Sequence, residues 1–202
     1  MMPKLLMFAG SARTASTNKQ LAALAASMAQ KADVEVTLID LKDFGMPIYD
    51  GDLEGDAGLP ENAKRLKLLF VEHDGVFIAS PEYNSSFSPL LKNALDWISR
   101  PHTENEPSLW AYSGKVAALG SVAPGALGGL RGLVPLRMML GNIGVTVVPN
   151  QVAISNGFNA FDDAGSLKDE RQSQMLSATV EQLIATTQAL TGLLQEDERH
   201  TL

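Results

Sequence analysis

Short apolar runs alternate with longer segments of helical periodicity along the whole chain. The apolar runs predict strands and the periodic segments predict helices. The predicted strands cover residues 5–9, 34–39, 75–79, 115–122 and 144–148, and the predicted helices cover 17–31, 61–72, 88–99, 130–140 and 167–194. Residues 43–60 contain many Gly, Pro and Asp residues without a clear period, so we expect a long loop there.

The predicted strands are continuously apolar and do not alternate, as is typical of strands that are buried on both faces. Their alternation with helices predicts an α/β fold, a mostly parallel sheet with helices on both faces. Five strands in 202 residues favour the flavodoxin-like winding, with strand order 2-1-3-4-5, over a six-stranded dinucleotide domain. Because we find no linker or internal repeat, we expect residues 1–202 to form a single domain.

Composition narrows the possible partners. The net charge is −7 and no cluster of Lys and Arg forms a basic stripe, which argues against a nucleic-acid partner. The absence of cysteine excludes disulfides, thiolate nucleophiles and cysteine-ligated metals. The three histidines do not share metal-ligand spacing, so we expect no metal site. No segment approaches the ~18 apolar residues that span a bilayer. We expect a cytoplasmic protein without a membrane partner.

The loop after the first predicted strand is rich in groups that bind phosphate. It offers hydroxyls at Ser11, Thr14, Ser16 and Thr17, a guanidinium at Arg13 and an amide at Asn18. A helix follows, and free backbone N–H groups at a helix amino end favour an anion. The alternative is that Ser16 or Thr17 only caps this helix. That alternative gives Arg13 no role, so phosphate binding is the favoured interpretation.

Two further loops follow the third and fourth predicted strands. Pro81-Glu82-Tyr83-Asn84 is polar and stiffened by proline, and 121–129 is rich in glycine. Open α/β sheets bind ligands at the carboxyl ends of their strands, where these loops and the first loop meet. Glycine-rich backbone can also offer N–H groups to a flat heterocycle. The three loops together therefore predict a site for a nucleotide-like cofactor.

Two motifs within these loops resemble the NADPH-dependent FMN reductase family. The first is Gly10-Ser11-x-Arg13-x-x-Ser16-x-Asn18, and the second is Pro81-Glu82-Tyr83-Asn84-x-Ser86 continuing into Leu91-Lys92-Asn93-Ala94-Leu95-Asp96-Trp97. The family includes flavin, quinone, azo-dye and chromate reductases, and the resemblance runs from Lys4 to about Val148. Ser88-Pro89 departs from the pattern, since many relatives carry the proline one position earlier. Segment 99–113 is also longer than usual.

The resemblance implies a flavodoxin-like fold that binds one FMN per subunit and forms a homodimer or homotetramer. The residues that it assigns to the FMN phosphate are Ser11, Arg13, Ser16 and Asn18, with Thr17 beside them in the same loop. The residues that it assigns to the isoalloxazine ring are Pro81, Glu82, Tyr83 and Asn84 on one side, and Ser121 and Gly125 at the other edge.

The activity that the resemblance implies is ping-pong transfer of hydride from NADPH or NADH, by way of FMN, to a small acceptor. Quinones, flavins, azo compounds and metal oxyanions are the expected acceptors. Because FMN carries the redox chemistry, we expect no dedicated catalytic acid or base. Glu82 or Tyr83 is a candidate for steering the nicotinamide. Two alternatives stay open: a flavodoxin-like carrier of single electrons, and a flavin-free sensory or scaffolding protein with the same fold.

The remaining aromatic and charged residues leave further alternatives. We expect Trp97 to pack in the core in preference to stacking on substrate. Trp110 and Tyr112 either form a lid over the flavin or pack locally. We expect solvated structural roles for the histidines, and Arg131 lies either at a subunit interface or on the solvated surface.

Overall fold

A computed structural model describes residues 2–200 of the protein, and the side chains of residues 2–193. The chain follows the predicted alternation of strands and helices. The strands are β1 (Lys4–Ala9), β2 (Glu35–Asp40), β3 (Gly75–Ala79), β4 (Glu82–Tyr83), β5 (Ser86–Phe87), β6 (Val116–Val122) and β7 (Thr146–Ile154). The helices are α1 (Thr17–Ala29), α2 (Gly51–Ala57), α3 (Glu61–Glu72), α4 (Pro89–Ser99), α5 (Leu130–Asn142) and α6 (Glu170–His200). One turn of 3-10 helix covers Leu41–Phe44.

Five strands form a parallel sheet in the order β2-β1-β3-β6-β7, and β4 pairs with β5 in a separate antiparallel hairpin. Counted along the sheet strands alone, this order is the predicted 2-1-3-4-5. The flavodoxin-like winding is therefore confirmed, and it places the loops after β1, β3 and β6 next to one another at the carboxyl edge of the sheet.

Each face of the sheet supports its own hydrophobic core. In β1, Leu5 and Met7 pack on one side with α1 and α6, whereas Leu6 and Phe8 pack on the other side with α3, α4 and α5. Every residue of β3 is buried. Burial on both faces explains why the sequence shows apolar runs without alternation.

Two segments differ from the predicted elements. The predicted loop 43–60 contains α2, none of whose residues is buried and whose first turn is capped by the carboxylate of Asp50. Strand β7 does not end at Val148 but continues to Ile154, with a shift in its pairing to β6 between Ala117 and Leu119. Pro149 lies opposite this shift, and a proline is tolerated there because β7 is the edge strand.

The segment between α4 and β6 lies at the amino end of the sheet, because α4 carries the chain back from the carboxyl end of β3. Tyr112 is fully buried there, and its hydroxyl donates a hydrogen bond to the carbonyl of Leu95 at 2.5 Å. Trp110 stacks on the ring of His102, with 6.1 Å between ring centroids. Of the two alternatives left open for Trp110 and Tyr112, the structure shows local packing within this subunit.

A buried ion pair holds this segment in place. The Lys67 ammonium is fully buried and donates to the carboxylate of Glu106 and, at 2.6 Å, to the carbonyl of Arg100. The other oxygen of Glu106 accepts from the backbone N–H of His102 at 3.1 Å. Burial is the largest influence and acts to raise the pKa of Glu106, but the hydrogen bonds from Lys67 and from the His102 N–H, together with the charges of both side chains, outweigh it, so the pKa lies below its ordinary value.

The core-packing prediction for Trp97 is confirmed. Its side chain is fully buried, and its indole N–H donates to the carbonyl of Pro47 at 2.8 Å. His73 has the expected structural role but is buried and not solvated, since its ring bonds the carbonyl of Leu69 and the hydroxyl of Thr37. Leu194 and His200 fall outside the side chains that the structure describes.

Candidate functional site

A pocket with both polar and apolar lining opens at the carboxyl edge of the sheet, with a cavity volume of about 180 Å³. The loops after β1, β3, β6 and β7 all contribute to it. The residues that line it are Ser11, Arg13, Ser16, Thr17, Asn18, Pro81, Glu82, Tyr83, Val122, Ala123, Pro124, Gly157 and Phe158. Both sequence motifs therefore meet in one cavity, as the predicted topology requires.

The first loop is fastened to the beginning of α4. The Ser88 hydroxyl donates to the carbonyl of Gly10 at 2.5 Å and accepts from the N–H of Leu91 at 3.1 Å, so it caps α4 while it holds the loop. A Cβ on Gly10 would lie 3.0 Å from the Cβ of Leu91. The close approach leaves no room for a side chain at position 10. The departure at Ser88-Pro89 thus preserves the start of α4.

The amino end of α1 faces the pocket without a side-chain cap. Ser16 occupies the capping position, with φ −82° and ψ 122°, yet its hydroxyl makes no capping hydrogen bond to a described residue. The alternative in which Ser16 only caps the helix is therefore not what the structure shows. The first-turn N–H groups stay available for an anion, which the positive end of the helix dipole favours.

Arg13 is exposed and lies in the same loop. Its Nη2 donates to the carbonyl of Ala15 at 2.9 Å, and its backbone N–H approaches the buried hydroxyl of Ser11 at 3.4 Å. In the part of the chain that the structure describes, no carboxylate forms a salt bridge with Arg13. The guanidinium charge is available to a ligand in the pocket.

The side chain of Asn18 has a different task from the one that the resemblance implies. It is buried, and its amide donates to the carbonyl of Val122 and accepts from the N–H of Val122, each at 3.0 Å. These paired bonds join the start of α1 to the end of β6. Asn18 shapes the pocket through this bridge, and its backbone N–H in the first turn is the part that can face an anion.

The loop after β3 is a tight hairpin. Glu82 pairs with Phe87 and Tyr83 pairs with Ser86, while Asn84 and Ser85 form the turn with φ of 52° and 65°. Two central residues with positive φ are typical of the type I′ turn that matches the twist of a two-stranded ribbon. Asn84 therefore lies at the tip of the hairpin, away from the pocket lining.

The carboxylate of Glu82 is engaged by α5. It accepts from Nε and Nη2 of Arg131 at 3.0 and 2.6 Å, and from the N–H of Gly132 at 3.2 Å. Steering of a nicotinamide by this carboxylate is thus not supported, because its oxygens already have partners. Arg131 is partly exposed, but its charge is paired within the subunit.

The far wall of the pocket consists of Val122, Ala123 and Pro124. Neither Ser121 nor Gly125, which the resemblance assigns to this edge, is among the lining residues. The Ser121 side chain is fully buried, and a Cβ on Gly129 would lie 1.8 Å from its hydroxyl oxygen. The Ser121 hydroxyl therefore lies beneath Gly129 and does not line the cavity.

Sequence reasoning missed Gly157 and Phe158. Gly157 donates its N–H to the carbonyl of Ala123 at 3.0 Å, which places this turn on the loop after β6. Phe158 is 76% exposed at the rim of the pocket. No motif marks these residues. The signal that points to them is the position of β7 beside β6, which brings their loop to the same edge.

Comparisons with known proteins agree on a single family. Residues 3–159 match the NADPH-dependent FMN reductase family. A 2-hydroxy-1,4-benzoquinone reductase of a Burkholderia species is 40% identical over 125 residues, which cover 62% of this chain and 63% of that protein. An NAD(P)H-dependent FMN reductase of Pseudomonas aeruginosa is 30% identical over 190 residues, covering 94% and 97%.

A solved structure supports the same relationship. The flavoenzyme FerB of Paracoccus denitrificans, an NAD(P)H:(acceptor) oxidoreductase, superposes with a TM-score of 0.77 at 27% identity, covering 93% of this chain and 98% of that one.

Proposed function

Because the chain belongs to the NADPH-dependent FMN reductase family, we propose that its pocket holds FMN with the phosphate at the amino end of α1 and the ring beside the β4–β5 hairpin. The protein is an FMN-dependent NAD(P)H oxidoreductase. The observation that supports this placement best is the meeting of both sequence motifs in one pocket.

The residues present fit the cofactor. FMN joins a dianionic phosphate to a flat ring, and the pocket joins an uncapped helix start to a hairpin wall. A phosphate gains most from charge-assisted hydrogen bonds and from backbone N–H groups. The guanidinium of Arg13 supplies a charged donor for such bonds, and the hydroxyls of Ser11, Ser16 and Thr17 supply neutral donors. The first turn of α1 supplies the backbone N–H groups.

The chain's own residues have binding and positioning roles in this proposal. Bound FMN would supply the hydride chemistry. Arg13 balances the phosphate charge, the Asn18 bridge to Val122 sets the distance between the first loop and the far wall, and the hairpin orients the ring. Glu82 is already paired with Arg131, and the tip residue Asn84 does not line the pocket, so no acid or base is assigned to the hairpin.

Quinones are the acceptors that we propose first. The Burkholderia relative is named a 2-hydroxy-1,4-benzoquinone reductase, and two plant relatives are named quinone oxidoreductases. The rim also suits a flat apolar acceptor, because Tyr83 and Phe158 expose their rings there. Flavins, azo compounds and metal oxyanions belong to the same proposal as further acceptors.

The proposal also covers domain organisation, oligomeric state and cellular location. We propose that residues 1–202 form one FMN-binding domain, that the enzyme is a homodimer or homotetramer, and that it works in the cytoplasm, where NAD(P)H is supplied. The described residues contain no helix that is long and apolar enough to cross a membrane. The comparisons favour the reductase over the single-electron carrier, since the relatives are named reductases and oxidoreductases.

The purified protein provides the test. We expect an absorbance band near the ordinary flavin maximum, FMN in the heat-released supernatant, and steady oxidation of NADPH or NADH that depends on added quinone. A screen of quinones, azo dyes, chromate and free FMN with both nicotinamides would rank the acceptors. A colourless protein that cannot be reconstituted with FMN would refute the proposal, and flavin loading without quinone-dependent NAD(P)H oxidation would favour the carrier.

A further inference from the structure

We propose that Glu82 is a positioning residue, whose carboxylate locks the β4–β5 hairpin to the first turn of α5 and so fixes the wall of the pocket. The lock itself is a property of the protein without cofactor. Its consequence for the flavin ring rests on the proposed function.

The carboxylate makes contacts of two kinds. Its Oε1 accepts from Nε and Nη2 of Arg131 at 3.0 and 2.6 Å, and its Oε2 accepts from the backbone N–H of Gly132 at 3.2 Å. The Gly132 N–H belongs to the first turn of α5, where it is shared between this carboxylate and the carbonyl of Gly129 at 3.1 Å, and where the helix dipole stabilises a negative charge. Glu82 thus acts as a cap that is supplied by a different element.

Close packing around two glycines brings the start of α5 within reach of the Glu82 carboxylate. A Cβ on Gly132 would lie 3.0 Å from the carbonyl oxygen of Ser86 and 3.2 Å from the Cβ of Glu82. Gly129 has φ of 91°, and a Cβ there would lie 1.8 Å from the Ser121 hydroxyl oxygen. Since both glycines admit close approach, the helix start is seated directly against the hairpin and β6.

The two partners differ in exposure. The Glu82 side chain is 8% exposed, whereas the Arg131 side chain is 60% exposed. Solvent screens an exposed charge, so Arg131 contributes less than its short distances suggest. The hydrogen bond to Gly132 is shielded from solvent, and it joins the Glu82 side chain to the main chain of α5. We therefore assign most of the locking to the carboxylate and its helix contact, and a smaller part to the arginine.

The consequence for binding follows from the position of the hairpin. Glu82 and Tyr83 line the pocket, and β4 and β5 pair only with each other among the described strands, so no strand pairing joins the hairpin to the sheet, although Phe87 packs partly buried against the core. If the lock is released, the ring wall moves while the first loop, held by Ser88 and Asn18, stays in place. The expected defect concerns the ring of a bound flavin and spares its phosphate.

Glu82→Gln is the informative variant, because it keeps the shape of the side chain and removes its charge. In the flavin-free protein, we expect amide hydrogen exchange in residues 82–87 and at the start of α5 to become about tenfold faster or more, as is typical when a charged hydrogen bond is lost. Arg131→Met should accelerate the same amides by a smaller factor. Glu54→Gln is the matched control, because it removes a carboxylate that is paired with Arg100 away from the pocket.

The dissociation constants of FMN and riboflavin distinguish an effect on the ring wall from an effect on the phosphate site. Glu82→Gln should weaken both ligands by the same factor and leave the ratio of their dissociation constants unchanged. Unchanged hairpin exchange in both variants would overturn the lock. A raised KM for NAD(P)H with unchanged flavin affinity and unchanged exchange would assign Glu82 to the nicotinamide instead. If accelerated exchange occurs in a protein that binds no flavin at all, the lock stands and the proposed function fails.

Discussion

The two ends of the parallel sheet differ in whether their polar side chains are paired within the protein. At the amino end, Lys67 and Glu106 are buried and satisfy each other, and the segment around them is packed shut. At the carboxyl end, Arg13 forms no salt bridge with any described carboxylate, and Ser16 sits at a helix start without capping it. Both ends are rich in polar residues, so composition alone does not distinguish them.

The difference indicates where a ligand belongs. Buried polar groups normally find partners within the protein, and groups that lack them are candidates for external partners. The amino end has partners of its own, so its charges are structural. The carboxyl end has partly paired groups around a cavity, which is the arrangement expected of a binding site. Asn18 lies at the carboxyl end but is fully paired, and it belongs with the structural set.

The largest effect is expected at the amino end. Lys67→Met leaves the buried Glu106 carboxylate with only the His102 ring, 2.6 Å from its second oxygen, as a basic neighbour, and removing one partner of a buried ion pair typically costs about 3–5 kcal/mol. Urea unfolding of the flavin-free protein measures this loss. The double variant Lys67→Met with Glu106→Gln should recover much of the stability, because it no longer buries an unpaired charge. A loss of less than about 1 kcal/mol in the single variant would contradict the structural role of the pair.

Asn18→Ala is expected to have the next largest effect. It leaves the N–H and carbonyl of Val122 without their partners, and an unsatisfied buried group costs about 1–3 kcal/mol. Arg13→Ala, in the same loop but exposed, should leave the stability of the flavin-free protein unchanged. Thermal unfolding of both variants makes the comparison. Equal destabilisation by the two substitutions would remove the distinction between paired and available groups at this end.

Acid should weaken the amino end through Glu106. Its folded-state pKa is lowered, so its contribution to stability is complete above the ordinary value of 4.5 and is lost as the pH falls through the folded-state pKa. The unfolding free energy of the native protein should therefore fall steeply below about pH 4.5. In Glu106→Gln the fall should be shallower. Identical slopes for the two proteins would show that Glu106 does not contribute to the acid transition.

The smallest effect is expected for Lys92, even though it lies within the second motif. Its ammonium pairs with Asp96 on the exposed surface of α4, four residues away. Such pairs typically contribute about 0.3–0.5 kcal/mol. Lys92→Ala should change the unfolding free energy by no more than this and leave FMN affinity unaltered. A large loss of flavin binding would mean that the motif has a role here that its surface position does not suggest.

The strands and long helices were predictable because burial fixes their pattern. Continuous apolar runs identified β1, β3 and β6, and the bounds of α3 and β3 match the prediction. Helix α2 escaped prediction because it buries no residue, so its sequence has no apolar period to detect. Strands β4 and β5 are two residues each, too short for any alternation to be recognised.

The site was predictable to the extent that it lies in motifs. Hydroxyls and an arginine before a helix indicated where a phosphate would bind. The residues that the resemblance assigns to the phosphate all line the pocket: Ser11, Arg13, Ser16 and Asn18. Partners brought together by tertiary structure were not predictable: sequence spacing does not show that Asn18 meets Val122, or that Glu82 meets Arg131. Phe158 was missed for the same reason, because topology alone brings its loop to the pocket.

The most direct test of the account compares two ligands that differ only in the phosphate. Isothermal titration of the flavin-free protein should show FMN binding about 100-fold or more tightly than riboflavin, since several charge-assisted hydrogen bonds are gained. Arg13→Ala should shrink this ratio by about tenfold or more while leaving riboflavin affinity unchanged. Equal affinity of the native protein for FMN and riboflavin, or an undiminished ratio in Arg13→Ala, would contradict the placement of the phosphate at the amino end of α1.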